Sequence, residues 1–169
     1  LGAEQLCLEL AEPTDALDTL LRQIDDLWLE ILSRFYAQAA EAGAELTSFL
    51  PLWAPGRFCA LQCDFMVMIS EAMFRRYQMP SLRFGVSRLD HSLFHLDGSE
   101  ALHGLDALLE CPRLDGIQWQ PGNDWDHTIE PLAKGLPLLR RIQGAGKKVM
   151  VACATEDVEL GLRELSSRN

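Results

Sequence analysis

His95 and Asp97 stand two residues apart in the run Phe94-His95-Leu96-Asp97-Gly98. In a strand that spacing puts both side chains on one side, where they could ligate a metal or act as a general acid and its orienting carboxylate. The same residues also read as a turn at Asp97-Gly98 beside a satisfied core histidine. Asp64 sits between Cys63 and the apolar run that starts at Phe65, where a lone carboxylate is costly. Its expected partner is Arg57 or a polar group of a substrate, and its plainer role is a cap or salt bridge. Gln118 and Trp119 offer an amide and a flat apolar wall, although a Trp at a strand end also serves as core packing. Trp53 and Arg57 follow a first apolar run. Cys59 and Cys63 form a C-x-x-x-C pair, but without a second pair this is a poor zinc signature. His103 falls in a helix and His127 in the lead-in to a later one, and neither carries an assigned role. G-x-S-x-G, G-x-G-x-x-G and G-x-x-x-x-G-K are all absent, which removes the commonest nucleophile elbow and phosphate loops.

These residues need elements to hold them. The apolar periodicity over residues 13–43 predicts a long amphipathic helix, with Thr14 as N-cap, Asp15 and Asp18 in the first turn and Gly43 just past its end. Four apolar runs then alternate with helical segments. The strands are predicted at 46–53, 92–96, 116–119 and 148–152, and the helices at 70–77 with a second piece after Pro80, 99–110, 129–143 and 155–166. Ser70, Ser99 and Thr155 are candidate caps, and Gly144 and Gly146 can end the segment at 129–143. Such alternation implies parallel strands joined by right-handed crossovers, hence an α/β fold whose reactive groups lie beyond the carboxyl ends of the strands. Four strands make half of an eight-stranded barrel or a small open sheet.

The chain has 169 residues, 48% of them hydrophobic, enough for one domain with a real core and incompatible with intrinsic disorder. A formal charge of -10 repels phosphate backbones and anionic lipid, so neither nucleic acid nor a membrane is an expected partner. No apolar run reaches the ~18 to 20 residues that cross a bilayer, and a basic leader is absent at Leu1 to Glu4, so a cytoplasmic protein is expected. The five cysteines are odd in number and mostly lie in apolar stretches, as reduced thiols do. A start at Leu1 rather than Met suggests a processed or partial product.

The blocks Cys63-Asp64-Phe65, Phe94-His95-Leu96-Asp97-Gly98, His103-Gly-Leu-Asp106 and Ile117-Gln118-Trp119-Gln-Pro121-Gly122, with Leu52-Trp53-Ala-Pro-Gly56-Arg57 before them, resemble the uroporphyrinogen decarboxylase-like superfamily. The chain is most similar to its branch found near corrinoid-dependent methyltransferase systems. The resemblance spans residues 13 to 153, and residues 1–169 are treated as one partial barrel domain. It implies the carboxyl-terminal half of a (β/α)8 barrel, four parallel strands with flanking helices. The expected partner is the missing amino-terminal half or a second copy, and the full product would be about twice as long. It also implies two chemistries. Corrinoid-linked methyltransferases hold zinc through a His-x-Cys pair and a later Cys, and here His95, Asp97 and Cys153 stand in the corresponding places, with a carboxylate for the softer thiolate. Porphyrinogen decarboxylases need no metal and draw their carboxylate and basic clamps mainly from the other half. The leading expectation is a methyltransferase-like domain acting on a small molecule. In it His95 and Asp97 are ligands or an acid-base pair, Asp64 orients the substrate, and Trp53, Arg57, Gln118 and Trp119 line the pocket. A corrinoid protein would be its partner. A decarboxylase-type lyase and a non-catalytic half barrel for binding or assembly are the alternatives.

Overall fold

The structure, a computed structural model, describes residues 2–12, 15–121 and 132–165. A first helix, α1 (Ala3–Ala11), is followed by the long α2 (Asp15–Glu41) and then by β1 (Phe58–Gln62). A 3-10 turn, Asp64–Met68, leads into α3 (Glu71–Met73), and a π-helical stretch, Phe74–Gln78, joins this to α4 (Met79–Val86). Then come β2 (His91–Asp97), a 3-10 segment Ser99–Gly104, α5 (Leu105–Leu109), β3 (Gly116–Gln120), α6 (Leu132–Gly144), β4 (Lys148–Val151) and α7 (Val158–Glu164).

The four strands are all parallel in the order β1-β2-β3-β4. Right-handed crossovers in sequential order put every connecting helix on the same face of the sheet. The main core lies there, where Phe94, Leu96 and Ile117 meet Leu82 of α4, Leu108 of α5 and Leu139 of α6. Among the described residues the opposite face has no such layer. At its amino half Phe58, Ala60 and Leu93 pack with Leu50 and Ala54 from the segment before β1.

Strands β2, β3 and β4 fall where the apolar runs predict them, within a residue. The first does not. Residues 46–53 form no strand: Pro51 has no N–H for a ladder, the Leu52 amide turns back to the Leu50 carbonyl at 2.7 Å, and Thr47 Oγ1 donates to the Leu52 carbonyl at 2.6 Å. The strand lies instead at Phe58–Gln62.

Ser70 caps as expected, its hydroxyl accepting the Met73 amide at 3.2 Å. Ser99 and Thr155 are not caps but the first residues of 3-10 segments, entered from Gly98 and Ala154. Gly43 and Gly146 take the positive φ that ends α2 and α6. Thr14 and His127, with Gly122 at the end of the last resemblance block, lie outside the described residues, as do the start of the segment predicted at 129–143 and the end of that at 155–166.

Helix α2 does not use all its apolar residues for the fold. Leu17 and Leu21 join a small cluster with Leu10 and Tyr77, while Leu20, Ile24, Leu27, Ile31 and Phe35 are exposed. No described helix is long and apolar enough to cross a membrane.

Candidate functional site

Parallel pairing sets Gln62, His95, Gln118 and Met150 at one level across the four strands. Directly paired residues share a face, and this level lies on the face that α4, α5 and α6 leave uncovered. Gln118 is only 4% exposed, and its Oε1 accepts the proton carried on His95 Nδ1. A neutral imidazole protonated at Nδ1 keeps its lone pair on Nε2, so His95 is set up to accept a proton or a hydrogen bond there. Phe49, from the segment before β1, stands edge-on to the imidazole with centroids 5.6 Å apart.

The carboxylates lie one level nearer the carboxyl ends. Asp97 ends β2 on the same face as His95, opposite Gln120, and is exposed. Gly98 follows at φ 80, a backbone a side chain would strain, and its amide donates to the Gln120 carbonyl at 2.8 Å. The Asp97-Gly98 turn and the strand-end site are therefore one feature. Asp64 begins the turn after β1, where Gln62 Nε2 donates to its Oδ2 at 3.3 Å. It is exposed, so water solvates it and no buried cation is required. This end of the sheet thus combines one imidazole, three amides and two carboxylates, a set able to hold a polar ligand and to move a proton at His95 Nε2.

Four of the sequence-predicted residues belong elsewhere. Arg57 immediately precedes β1 and so lies at the amino end of the sheet, where its amide donates to Asp90 Oδ2 at 2.8 Å and its guanidinium lies over the Tyr36 ring. It cannot pair with Asp64, which is at the other end of the same strand. Trp53 is also at the amino end, half exposed beside a cleft of about 630 Å³. Trp119 is on the helix side, because the residue after Gln118 must point the opposite way. It packs over Gly135 of α6, and its Nε1 is buried with no partner among the described residues. Cys153 packs at the margin of the main core. Among the described residues no three His, Cys, Asp or Glu side chains gather into a metal-holding group, so His95, Asp97 and Cys153 do not form the expected ligand trio. Burial raises the thiol pKa of both Cys59 and Cys63, keeping them protonated.

Gln62, Gln120 and Phe49 are the site residues that the sequence reading missed. Gln62 lies two positions before Asp64, but its place beside His95 is visible only once β1 is put at 58–62. Phe49 reaches the site through a non-repetitive segment for which no periodicity exists.

Fold and site together define a parallel α/β domain wound in one direction, with a polar level at the carboxyl ends of its strands. Comparison with protein-family models, with curated proteins and with solved structures finds no match.

Proposed function

We propose that this chain is a half-barrel unit of a methyltransferase-like enzyme acting on a small molecule, with His95 as its proton-transfer group. The observation that carries the reading is the bond from His95 to the buried Gln118, which leaves His95 Nε2 as a lone pair on the helix-free face. Sequential parallel strands with helices on one side support the half-barrel part. In the proposed reaction an acceptor group X–H is held by the Gln62 and Gln120 amides, with X directed toward the donor. X takes the methyl group as the donor's bond to that carbon breaks, the bonding electron pair staying with the donor, and the proton of X–H passes to His95 Nε2. The resemblance implies a methylated corrinoid on a partner protein as donor, and the reading assigns it no residue of this chain. The expected zinc has no gathered ligand set, so no step is routed through it.

Porphyrinogen decarboxylation fits less well, since a polycarboxylate needs cations and Arg57 lies at the far end of the sheet. The test is methyl transfer from methylcobalamin to a thiol such as 2-mercaptoethanol. His95→Gln is expected to lower the rate at least tenfold, while Arg57→Ala and Trp53→Ala leave it within about twofold. Equal rates for wild type and His95→Gln, or no turnover by the wild-type chain, would overturn the reading. Elemental analysis of the same samples asks about zinc: one ion per chain, lost in His95→Ala, would return it to the site.

A further inference from the structure

Asp25 of α2 is partly buried and has no cation beside it. Its Oδ2 accepts the Ser81 hydroxyl of α4 at 3.0 Å, its Oδ1 takes no bond from a described residue, and no described Lys, Arg or His pairs with it. Burial raises its pKa above the ordinary carboxylate value. A carboxylate taken out of water without a counter-ion is costly, and it marks a place where a ligand can supply the charge. Space for one adjoins it. A cavity of about 270 Å³ lies between α2, β1 and α4, with Asp25 and Ser81 in its wall. Trp28, nearly one turn after Asp25 on α2, gives the cavity an aromatic side, and Gln78 adds an amide. Gly85 of α4 keeps the space clear. A Cβ there would meet Trp28 Cη2 at 3.6 Å and Leu61 Cδ1 at 3.7 Å, which are ordinary contacts, so packing does not demand a glycine at this buried position.

We propose that this cavity binds a small primary ammonium ion, its N–H groups bonded to Asp25, Ser81 and Gln78 and its apolar chain lying along Trp28. The Ser81 hydroxyl gives its proton to the bond with Asp25, so its oxygen is left to accept. With Asp25 Oδ1 and the Gln78 amide oxygen it makes three acceptors, the number that the three donors of an alkylammonium require. The carboxylate supplies the opposite charge and the indole face attracts a cation. A formal charge of -10 on the whole chain draws cations to its surface. The volume holds about nine groups the size of a water molecule, which limits the ligand to roughly that many non-hydrogen atoms. A metal ion is poorly served, since among the described residues no three His, Cys, Asp or Glu side chains gather. Gln62 borders the cavity and also stands level with His95, but ammonium binding here requires nothing of His95 and no methyl transfer.

Proton–nitrogen NMR titration of the chain at neutral pH with n-butylammonium tests it. The Trp28 indole N–H and the Ser81 and Gly85 amides are expected to shift and to saturate together. The uncharged n-butanol should bind about tenfold more weakly, and tetramethylammonium, which carries the charge without donors, should also bind more weakly. Asp25→Asn keeps an oxygen to accept from Ser81 while removing the charge, so it is expected to fold and to lose about tenfold in affinity. Gly85→Ala is expected to fold at least as stably as wild type, since alanine is the better helix former, and to bind more weakly because its methyl group enters the cavity. His95→Gln is expected to leave the affinity unchanged, so the fate of the methyl-transfer reading and that of this site are read separately. No saturable shift in the wild type, equal affinity for n-butanol and n-butylammonium, or full affinity in a folded Asp25→Asn would each overturn the proposal. So would shifts centred on Asp64 and Asp97 instead of Trp28, and tetramethylammonium binding as tightly as n-butylammonium would overturn the assignment to a primary ammonium.

Discussion

The Tyr36 hydroxyl accepts the Phe58 amide at 2.7 Å and donates to the Phe58 carbonyl at 2.6 Å, so one side chain of α2 closes the amino end of the free edge of β1. A lone residue of a long helix thereby does what a neighbouring strand would do. Tyr36→Phe keeps the ring and removes both bonds. The expected loss is about 1–3 kcal/mol in urea unfolding, with an unchanged denaturant slope. A variant as stable as the wild type would show that water serves these groups equally well.

The buried Gln118 amide sets the tautomer of His95. Gln118→Leu keeps the volume and removes the acceptor, at an expected cost of about 0.5–1.5 kcal/mol. The sharper readout is nitrogen NMR of the imidazole. The wild type should show the Nδ1-protonated form, and the variant a mixture of the two tautomers. A variant spectrum identical to that of wild type would mean that another group orients the ring.

Gly135 is the floor on which Trp119 lies. A Cβ at this position would come within 2.5 Å of Trp119 Cζ3, and the ring has little room to retreat in the core. Gly135→Ala is therefore expected to destabilise by about 1–3 kcal/mol despite alanine's better helix propensity. Adding Trp119→Phe should recover part of that loss, because the smaller ring leaves space for the methyl group. Strictly additive effects in the double-mutant cycle would show that the two sites do not touch.

Lys147 is 8% exposed, and its ammonium donates to the carbonyls of Cys111 and Leu114. Burial lowers its pKa below the ordinary lysine value of 10.5. Between the lowered folded value and the unfolded one, the unfolded chain binds more protons, so this group makes stability rise with pH through that window. Chemical denaturation from neutral to alkaline pH should show a steeper fall, or a weaker rise, for Lys147→Met than for wild type. The two curves should run parallel at neutral pH, where the lysine is charged in both states. A difference between the curves that does not change with pH would mean that Lys147 acts only through its hydrogen bonds.

Much of the fold is legible in the residue order. Strands β2, β3 and β4 are short apolar runs between turn-forming residues, and α2 repeats its apolar residues at helical spacing; both are local patterns. Strand β1 escapes because Phe-Cys-Ala-Leu-Gln is a weak run beside the stronger one that ends at Trp53, and only Pro51 within that stronger run argues against it. The misplacement carries a functional cost: it puts Trp53 and Arg57 past the strand when they stand before it, at the wrong end of the sheet. Trp119 is a different case, since alternation alone separates it from Gln118. Helix α2 shows the limit of periodicity too, for its apolar residues form both an inner face and the exposed line from Leu20 to Phe35.

By itself, the sequence determined the α/β class, the positions of three strands and the shared side of His95 and Asp97, because these depend on backbone alternation over a few residues. Only the tertiary structure decided that Gln62 and Gln118 stand level with His95, that Tyr36 closes the amino end of one edge, and that β4 ends the described sheet at the other. Those outcomes depend on which strands become neighbours and in what register. Residues twenty or more positions apart settle both when they pack into a common core, and no short stretch of the chain encodes that choice.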